Sequence, residues 1–535
     1  MSKTILRAAA AMATVAAMTC GAAAPAQAQQ AATVEARSAP GGVAVTWRLA
    51  EPTTRAAFLT TAVIRDTWTV TTPGLTLADG AIEGAGAPFQ TFEILITPDK
   101  AEVDRIYMSL SKAGEGHVLY GPALTLKGMN AELTAQLAAG EVAVPTAEAV
   151  KGYLYLGPEA ALMRREGAAV VTSPLAPPAL TTLLRDGFFA AQKFYGARLG
   201  HVLPNEPTLI ISTDSPGPTG FRGDVTDTGL ISLRFHGDMW ASPPPDVAVP
   251  LGTLVWHEAF HLWNGNGVKM KDSGSAPWLH EGMAEYAALT AAVSSGVIDE
   301  AQARTALNAR MRDCRSMLGD GDYDPERLRK GQAIYDCGVV VQWLADLEER
   351  RASDGRRDVF DLWKEMLDAG RGGDGYGVTE FRARLRPDTA VAVLMDGPGA
   401  ERWAELEARL TALGVTFEDK PGAGDYRRTA LWHVARQHCT GSLGFFENQD
   451  GLQLDTGKRC GVLSGDPKIA AVEAHDPMTA AEAMFRAVQA RCAAAQPVRY
   501  RTFEGTIIEA ECKAELVMPK VAAIGDAPPL ATRAQ

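Results

Sequence analysis

The spacing of apolar residues changes along the chain and divides it. Between Gly42 and Lys127 apolar positions alternate or come in short runs: Val43-Ala44-Val45-Thr46-Trp47-Arg48-Leu49, Thr67-Trp68-Thr69-Val70, Phe92-Glu93-Ile94-Leu95-Ile96 and Ile106-Tyr107-Met108-Ser109-Leu110. These runs are rich in β-branched and aromatic residues and are punctuated by Gly, Pro and Asp, which predicts a β-sandwich. Residues 128–178 mix their signals: Met129–Ala139 is helix-like, Gly152–Leu156 strand-like, and Pro174, Pro177 and Pro178 mark a boundary. From Leu183 the period becomes helical, with Phe188, Phe189, Gln192 and Tyr195 following at helical spacing and Gly200 ending the helix. Two apolar strands, Pro207–Ser212 and Gly229–Phe235, flank a Gly/Pro loop, Ser215–Gly223, that lacks the spacing of a phosphate-binding loop. Past Tyr286 the pattern predicts core-facing helices at Leu289–Val297, Ala301–Met317, Gly338–Arg350, Val359–Leu367 and Arg402–Leu413, with a solvated loop at Asp320–Lys330. A last unit, Tyr426–Lys520, combines a helix at Pro477–Cys492 with a strand at Val498–Phe503.

The chemistry is concentrated in Val255–Tyr286. It contains His257-Glu258-Ala259-Phe260-His261 and, twenty residues past the second His, Glu281. On a helix, residues i and i+4 lie about 40° apart around the axis, so His257 and His261 share a face and can hold one zinc ion. Glu258 can approach a water there. A catalytic zinc needs a third protein ligand and an open fourth position. Glu281 supplies the ligand, in a second helix, Trp278–Tyr286, with Gly265, Gly267 and Gly274 letting the chain turn back between the two. Glu285, one turn past Glu281, can orient a His ligand from behind. His280 points to a different side of the helix and is not counted as a ligand.

This stretch resembles the gluzincin metallopeptidases, in particular the M1 aminopeptidases and the M61 glycyl aminopeptidase-like family, which share HExxH, an aromatic residue shortly after it and a downstream W-x-x-E-G. His261-Leu262-Trp263-Asn264 is most similar to M61; Asn264-Gly265-Asn266 and Glu281-Gly282-Met283-Ala284-Glu285-Tyr286 are equally similar to M1. The gap Leu262–His280 is one residue longer than in M1 enzymes. Ile334-Tyr335-Asp336-Cys337-Gly338-Val339-Val340-Val341 resembles the Y-[ED]-K-G-x-x-[VL] segment of M1 enzymes, with Cys337 in place of the family's Lys. The resemblance implies a thermolysin-like α+β catalytic domain rich in helices and one Zn(2+) per chain on His257, His261 and Glu281. It also implies Glu258 as general base and Tyr335 as hydrogen-bond donor to the oxyanion. In M1 enzymes the strand before the zinc helix carries G-x-M-E-N, whose Glu binds the substrate's free α-amine. Nothing in Gly229–Trp240 matches it, and the acids nearby are Asp224, Asp227 and Asp238. Aminopeptidase specificity is therefore not carried over, although the strand's edge can still take a substrate backbone. Gly441-Ser442-Leu443-Gly444-Phe445 and Leu463–Ile469 resemble PDZ segments, and M61 proteins carry a PDZ-like domain here. The implied C-terminal α+β PDZ-like domain would bind a peptide carboxylate on backbone N–H groups near Leu443, Gly444 and Phe445.

Composition adds compartment and partners. The length of 535 residues calls for several domains, and a net charge of −12 argues against nucleic acid and anionic membrane as partners. Lys3 and Arg7, the apolar Ala8–Met18 and the Ala24–Ala28 cleavage signal predict a signal peptide that is removed. The mature protein is then periplasmic or secreted, with no transmembrane segment. Cys314, Cys337, Cys439, Cys460, Cys492 and Cys512 remain, an even number that fits disulfides. Fifteen pairings are open; nearest-neighbour pairing keeps each bridge within one domain.

The division predicted is residues 1–28 signal peptide, 29–40 disordered leader, 41–178 β-rich domain, 179–420 catalytic domain, 426–520 PDZ-like domain and 521–535 disordered tail. The function predicted is an exported zinc-dependent peptidase acting on a peptide or protein. Two alternatives stand beside it: a non-catalytic periplasmic binding protein that retains a metal site, and a zinc hydrolase of a non-peptide substrate. Exo- versus endopeptidase action, substrate preference and oligomeric state stay open.

Overall fold

The computed structural model describes residues 30–530 apart from 102–105, 201–202, 215–219, 226–227, 238–239, 241–244, 319–331, 387–401, 441–443, 449–450, 457–458 and 520. The predicted signal peptide and the loop at 320–330 lie outside the described residues.

The N-terminal unit consists of two main sheets over one core. The first runs in the order Met129–Gln136, Gln30–Ala39, Gly42–Thr53, Phe89–Ile96, Trp68–Val70. The second runs Glu141–Val144, Tyr153–Pro158, Gly116–Tyr120, Leu110–Ala113. Val34, Trp47, Phe92 and Ile94 from one sheet pack with Leu119, Leu154 and Leu156 from the other. Trp47 stacks on Phe92 at 4.7 Å. Two sequence expectations fail here. The supposed leader, 29–40, is a strand from Gln30, hydrogen-bonded to Gly42–Thr53 on one side and Met129–Gln136 on the other. Its buried positions are the small Ala32, Val34 and Ala36, too weakly apolar to stand out as a pattern. Met129–Ala139 is a strand over Met129–Gln136 because its parallel partner supplies the backbone bonds, and tertiary pairing overrides helix-favouring composition.

The central unit begins earlier than residue 179. Its strands are β1 (Leu162–Arg165), β2 (Ala168–Thr172), β3 (Thr208–Ser212), β4 (Gly220–Val225) and β5 (Leu230–His236), in the order β1-β2-β3-β5-β4. β2, β3 and β5 are parallel, and β1 and β4 run antiparallel at the two edges. Helix α1 (Pro178–Leu199) makes the crossover from β2 to β3 and ends at Gly200, whose φ of +89° suits glycine. Among the described residues the helices that follow include α2 (Pro245–His261), α3 (Pro277–Ser294), α4 (Glu300–Leu318), α5 (Ala333–Ala352) and α6 (Val359–Arg371), and then the shorter Val378–Arg382 and Arg402–Ala412. β5 is buried at every position, being the interior strand between β3 and β4. The edge next to the zinc-motif helix is thus β4, in the segment read from sequence as a loop. Its two glycines disguise a strand that pairs with β5 over six residues.

Helix α2 lies in the middle of this unit and is buried from Pro250 to His261. Tyr195 of α1 packs edge-on against Trp256, Phe260 and Trp263. Its hydroxyl donates to the Trp256 carbonyl at 3.2 Å, and Trp263 donates to the Gly200 carbonyl at 2.7 Å. Helices α3 and α5 cross at two glycines. A Cβ on Gly282 would lie 2.3 Å from the Gly338 Cα, and one on Gly338 would lie 2.6 Å from both the Gly282 Cα and the Trp278 carbonyl oxygen. This crossing is backbone on backbone, and it sets Glu281 of α3 close to Tyr335 of α5.

The C-terminal unit is a five-stranded antiparallel meander, Gly444–Asn448, Gly451–Asp455, Lys468–Val472, Val498–Thr502 and Ile507–Ala510, with helices Ala423–Ala435 and Ala481–Ala493. Over its described residues, 521–530, the predicted tail is tied down. Val521 donates to Asp419, and Ala522–Ile524 pairs antiparallel with Phe417–Asp419. Ile524 bonds to Asn308 and Leu530 to Glu300 of α4, and both side chains are buried in the central core. The six cysteines pair as neighbours: Cys314–Cys337, Cys439–Cys460 and Cys492–Cys512. Three disulfides fit an oxidising compartment. Among the described residues no helix is long and apolar enough to cross a membrane.

The glycine crossing yields a test. In Gly338→Ala the added methyl meets backbone that cannot move aside, and overpacking of this kind costs about 1–3 kcal/mol or more. The melting temperature is expected to fall by several degrees, whereas Gly274→Ala, where a Cβ meets nothing within 4 Å, leaves it within about one degree. Thermal unfolding of both variants checks this.

Candidate metal centre

Helix α2 brings His257 and His261 onto one face, and the two Nε2 atoms stand 3.0 Å apart. Glu281 Oε2 lies 3.4 Å from each of them. The three side chains are 6%, 7% and 7% exposed, and Glu281 Oε2 has no hydrogen-bond partner. An orphaned carboxylate oxygen between two imidazole nitrogens is costly to bury unless a cation or a proton lies among them. Tetrahedral zinc, with ligand bonds of about 2.0–2.2 Å, holds its donors roughly 3.3 Å apart. The spacing and the N, N, O donor set fit that ion.

Each imidazole has a group behind it. His261 Nδ1–H donates to Asn264 Oδ1 at 3.0 Å, which leaves the Nε2 lone pair facing the centre. Asn264 is fully buried in the π-helical turn Leu262–Gly267 and is itself fixed. Its amide donates to the His280 carbonyl at 2.9 Å, and its own carbonyl accepts from the Tyr376 hydroxyl at 2.7 Å. His280 stacks on His261, ring centres 4.4 Å apart, and its Nδ1–H donates to the same Tyr376 oxygen at 2.9 Å. Burial and the neighbouring His261 push the His280 pKa down to about 3, so it stays neutral. Asn264 was visible in the sequence, three residues past His261 and so one turn on. Tyr376 carries no local signal.

Glu285 Oε1 lies 3.5 Å from His257 Nδ1. Its other oxygen accepts from Arg310 of α4 at 2.7 Å, and the same guanidinium donates to Asp336 of α5 at 2.8 Å. Glu258 is 8% exposed, and burial pushes its carboxyl above the ordinary range against the pull of the two histidines. Tyr335 is 2% exposed, with its ring centre 6.2 Å from that of His257 and its hydroxyl without a partner. Burial and the surrounding carboxylates raise its pKa well above the usual phenol range, so it keeps its proton.

The remaining candidates are the Leu443–Phe445 segment and the acids Asp224, Asp227 and Asp238. Leu443 is outside the described residues; Gly444 and Phe445 begin the edge strand of the C-terminal meander, with Phe445 buried in that unit's core. Asp227 and Asp238 are also outside the described residues. Asp224, on β4, is already engaged: Arg234 donates to it at 2.5 Å, Tyr153 at 3.4 Å, and Arg222 lies 3.6 Å away. His433 lies near Cys492 and Cys512, but that pair is a disulfide and offers no thiolate.

The metal-free centre has a pH signature. Burial works against charge on His257, but Glu281, Glu285 and Glu258 together raise its pKa to about 9, from 6.5 in the unfolded chain. A folded-state pKa raised in this way stabilises the protein fully below pH 6.5, and that contribution is lost as pH rises through about 9. A metal ion must displace the same proton. Chelated protein is thus expected to lose thermal stability between pH 6.5 and 9, while its affinity for an added divalent ion climbs over the same window. Melting curves and metal-competition titrations across that range check both.

Comparison with known proteins bears on the fold. No family model matches the sequence, and no curated protein matches it. The crystal structure of an aminopeptidase N family protein from Idiomarina loihiensis superposes with a TM-score of 0.58 at 13% identity, covering 93% of this chain and 98% of that one. Native yeast LTA4 hydrolase matches with a TM-score of 0.37 at 10% identity over 76% of this chain and 72% of that one, too slight a likeness to carry an argument. Over nearly its whole length, then, this chain has a fold similar to that of the Idiomarina aminopeptidase N family protein.

Proposed function

We propose that the chain is an exported zinc-dependent peptidase. The observation that carries this reading is the buried meeting of His257, His261 and the unpartnered Glu281 oxygen, with Glu258 on the next position of the same helix. The fold likeness to an aminopeptidase N family protein supports it. A zinc ion held by these three residues would act as Lewis acid towards a water molecule and a peptide carbonyl.

The chain's own groups do the rest. Glu258, its basicity raised by burial, takes the proton of the attacking water and hands it to the leaving amine. The Tyr335 hydroxyl, protonated and unpartnered, donates to the oxyanion as charge develops there. Asn264 holds the His261 imidazole by a hydrogen bond so that its Nε2 points inward, and the Glu285 carboxylate faces His257 Nδ1 electrostatically at 3.5 Å. The strand β4 stands last in its sheet among the described residues, a position from which it would pair with an extended peptide. On that strand the acid Asp224 is held by Arg234, which favours cleavage that does not require a free α-amine. Export is supported by the three disulfides and by the n-region, apolar run and cleavage signal of residues 1–28.

Glu258→Gln is expected to keep its zinc and lose turnover by at least about a thousandfold, the scale on which general acid–base and oxyanion contacts act. Tyr335→Phe is expected to lower kcat by about 10²–10³ with KM little changed. Peptides and their N-acetylated forms are expected to be cut at similar rates, and a chelator to stop both. Zinc analysis and peptide hydrolysis by mass spectrometry decide it; zinc-free protein, or full activity in Glu258→Gln, would sink the reading.

A further inference from the structure

We infer that Arg310 is a positioning residue that links the two sides of the candidate centre, holding the His257 support with one arm and the Tyr335 turn with the other. The inference rests on the metal-centre reading above and goes beyond it, because Arg310 touches neither the three convergent donors nor Glu258 or Tyr335.

The geometry is specific. One guanidinium nitrogen donates to Glu285 Oε2 at 2.7 Å and the other to Asp336 Oδ1 at 2.8 Å. Glu285 is on α3, and its remaining oxygen acts on His257 electrostatically, 3.5 Å from Nδ1, without a hydrogen bond between them. Asp336 is on the first turn of α5, next to Tyr335, and is fully buried. Arg310 stands on a third helix, α4, with its side chain 16% exposed. A planar guanidinium that forks between two carboxylates fixes their separation and direction, which a lysine's single ammonium does not. The two arms therefore set the distance between the residue behind the metal ligand and the turn that carries the hydroxyl donor.

A second link reinforces the first. Arg310 and Cys314 are four apart on α4 and so face the same way. Cys314 is bonded to Cys337, the residue after Asp336. Two successive positions of one face of α4 thus clamp two successive residues of α5, one by charge and one covalently. The disulfide holds α5 even when the guanidinium is removed, so an Arg310 variant can lose positioning without losing the fold.

The test uses the full mature protein and zinc itself as probe. Arg310→Met is expected to weaken zinc binding, measured by competition with a chromophoric chelator, about ten- to a hundredfold, the range found when a group behind a metal ligand is lost. It is expected to lower kcat on a peptide while leaving KM nearly unchanged. Arg310→Lys is expected to recover part of the affinity, and it serves as the principal variant should Arg310→Met not fold. In a cycle with Glu285→Gln the two losses in zinc affinity are expected to be less than additive, because Arg310 acts through Glu285. Arg315→Met removes another ion pair of the same helix, to Glu407 at 2.6 Å, and is expected to leave zinc affinity unchanged. If the parent binds zinc and folded Arg310→Met binds it equally tightly, or if Arg315→Met costs as much, the inference about Arg310 is overturned and the metal centre stands. If the parent binds no zinc, both fall together.

Discussion

The approach of two backbones at Gly282 and Gly338 is the constraint on which the site depends. Side chains normally hold packed helices 8–10 Å apart. Here α3 and α5 meet with no Cβ between them, and the residues flanking the crossing are Glu281 on one helix and Tyr335 to Cys337 on the other. The carboxylate that completes the donor set and the tyrosine whose ring lies beside His257 are brought into one region by a contact that has no chemistry of its own. Helix α2, which also packs on α3, only has to present its histidines to a place already defined.

That place is electrically demanding. Glu258, Glu281, Glu285 and Asp336 are each at most 9% exposed, and among the groups lining the centre they are balanced by Arg310 and two imidazoles. Carboxylates buried in such number are unfavourable unless paired. The elevated affinity of His257 for a proton is the metal-free protein's answer to this imbalance. A divalent cation would answer it better, since one ion would face all three convergent donors at once. Stability and metal binding are thus two readings of one charge distribution.

How much of this was legible in the sequence follows from how local each signal is. His257, His261 and Glu258 are related by one helical turn, and Glu281 and Glu285 by another, so spacing alone assigns them to shared faces. Arg310 and Tyr376 reach the centre only through the packing of distant helices and loops, and nothing near either residue marks it. The β4 strand was hidden by Gly220 and Gly223, whose lack of side chain reads as a turn until β5 is known to lie alongside. Gln30–Ala39 was hidden by the smallness of its buried residues, and Met129–Gln136 by a partner strand ninety or more positions away. The tail was misread because its few apolar residues, Ile524 and Leu530, are buried against helices that sequence proximity does not reveal.

The return of that tail has a topological result. The chain leaves the central unit after Phe417–Asp419, builds the meander, and comes back at Ala522–Ile524 to pair with the strand it left. The third unit is therefore spliced into the second rather than appended to it. Cutting the gene after residue 420 would delete not only the meander but a strand of the central unit and the backbone groups that receive Arg350 at Pro529 and Leu530. Nor can the central unit finish folding on the ribosome while residues 522–530 are still unmade. Its closure waits for the strand that returns at Ala522–Ile524.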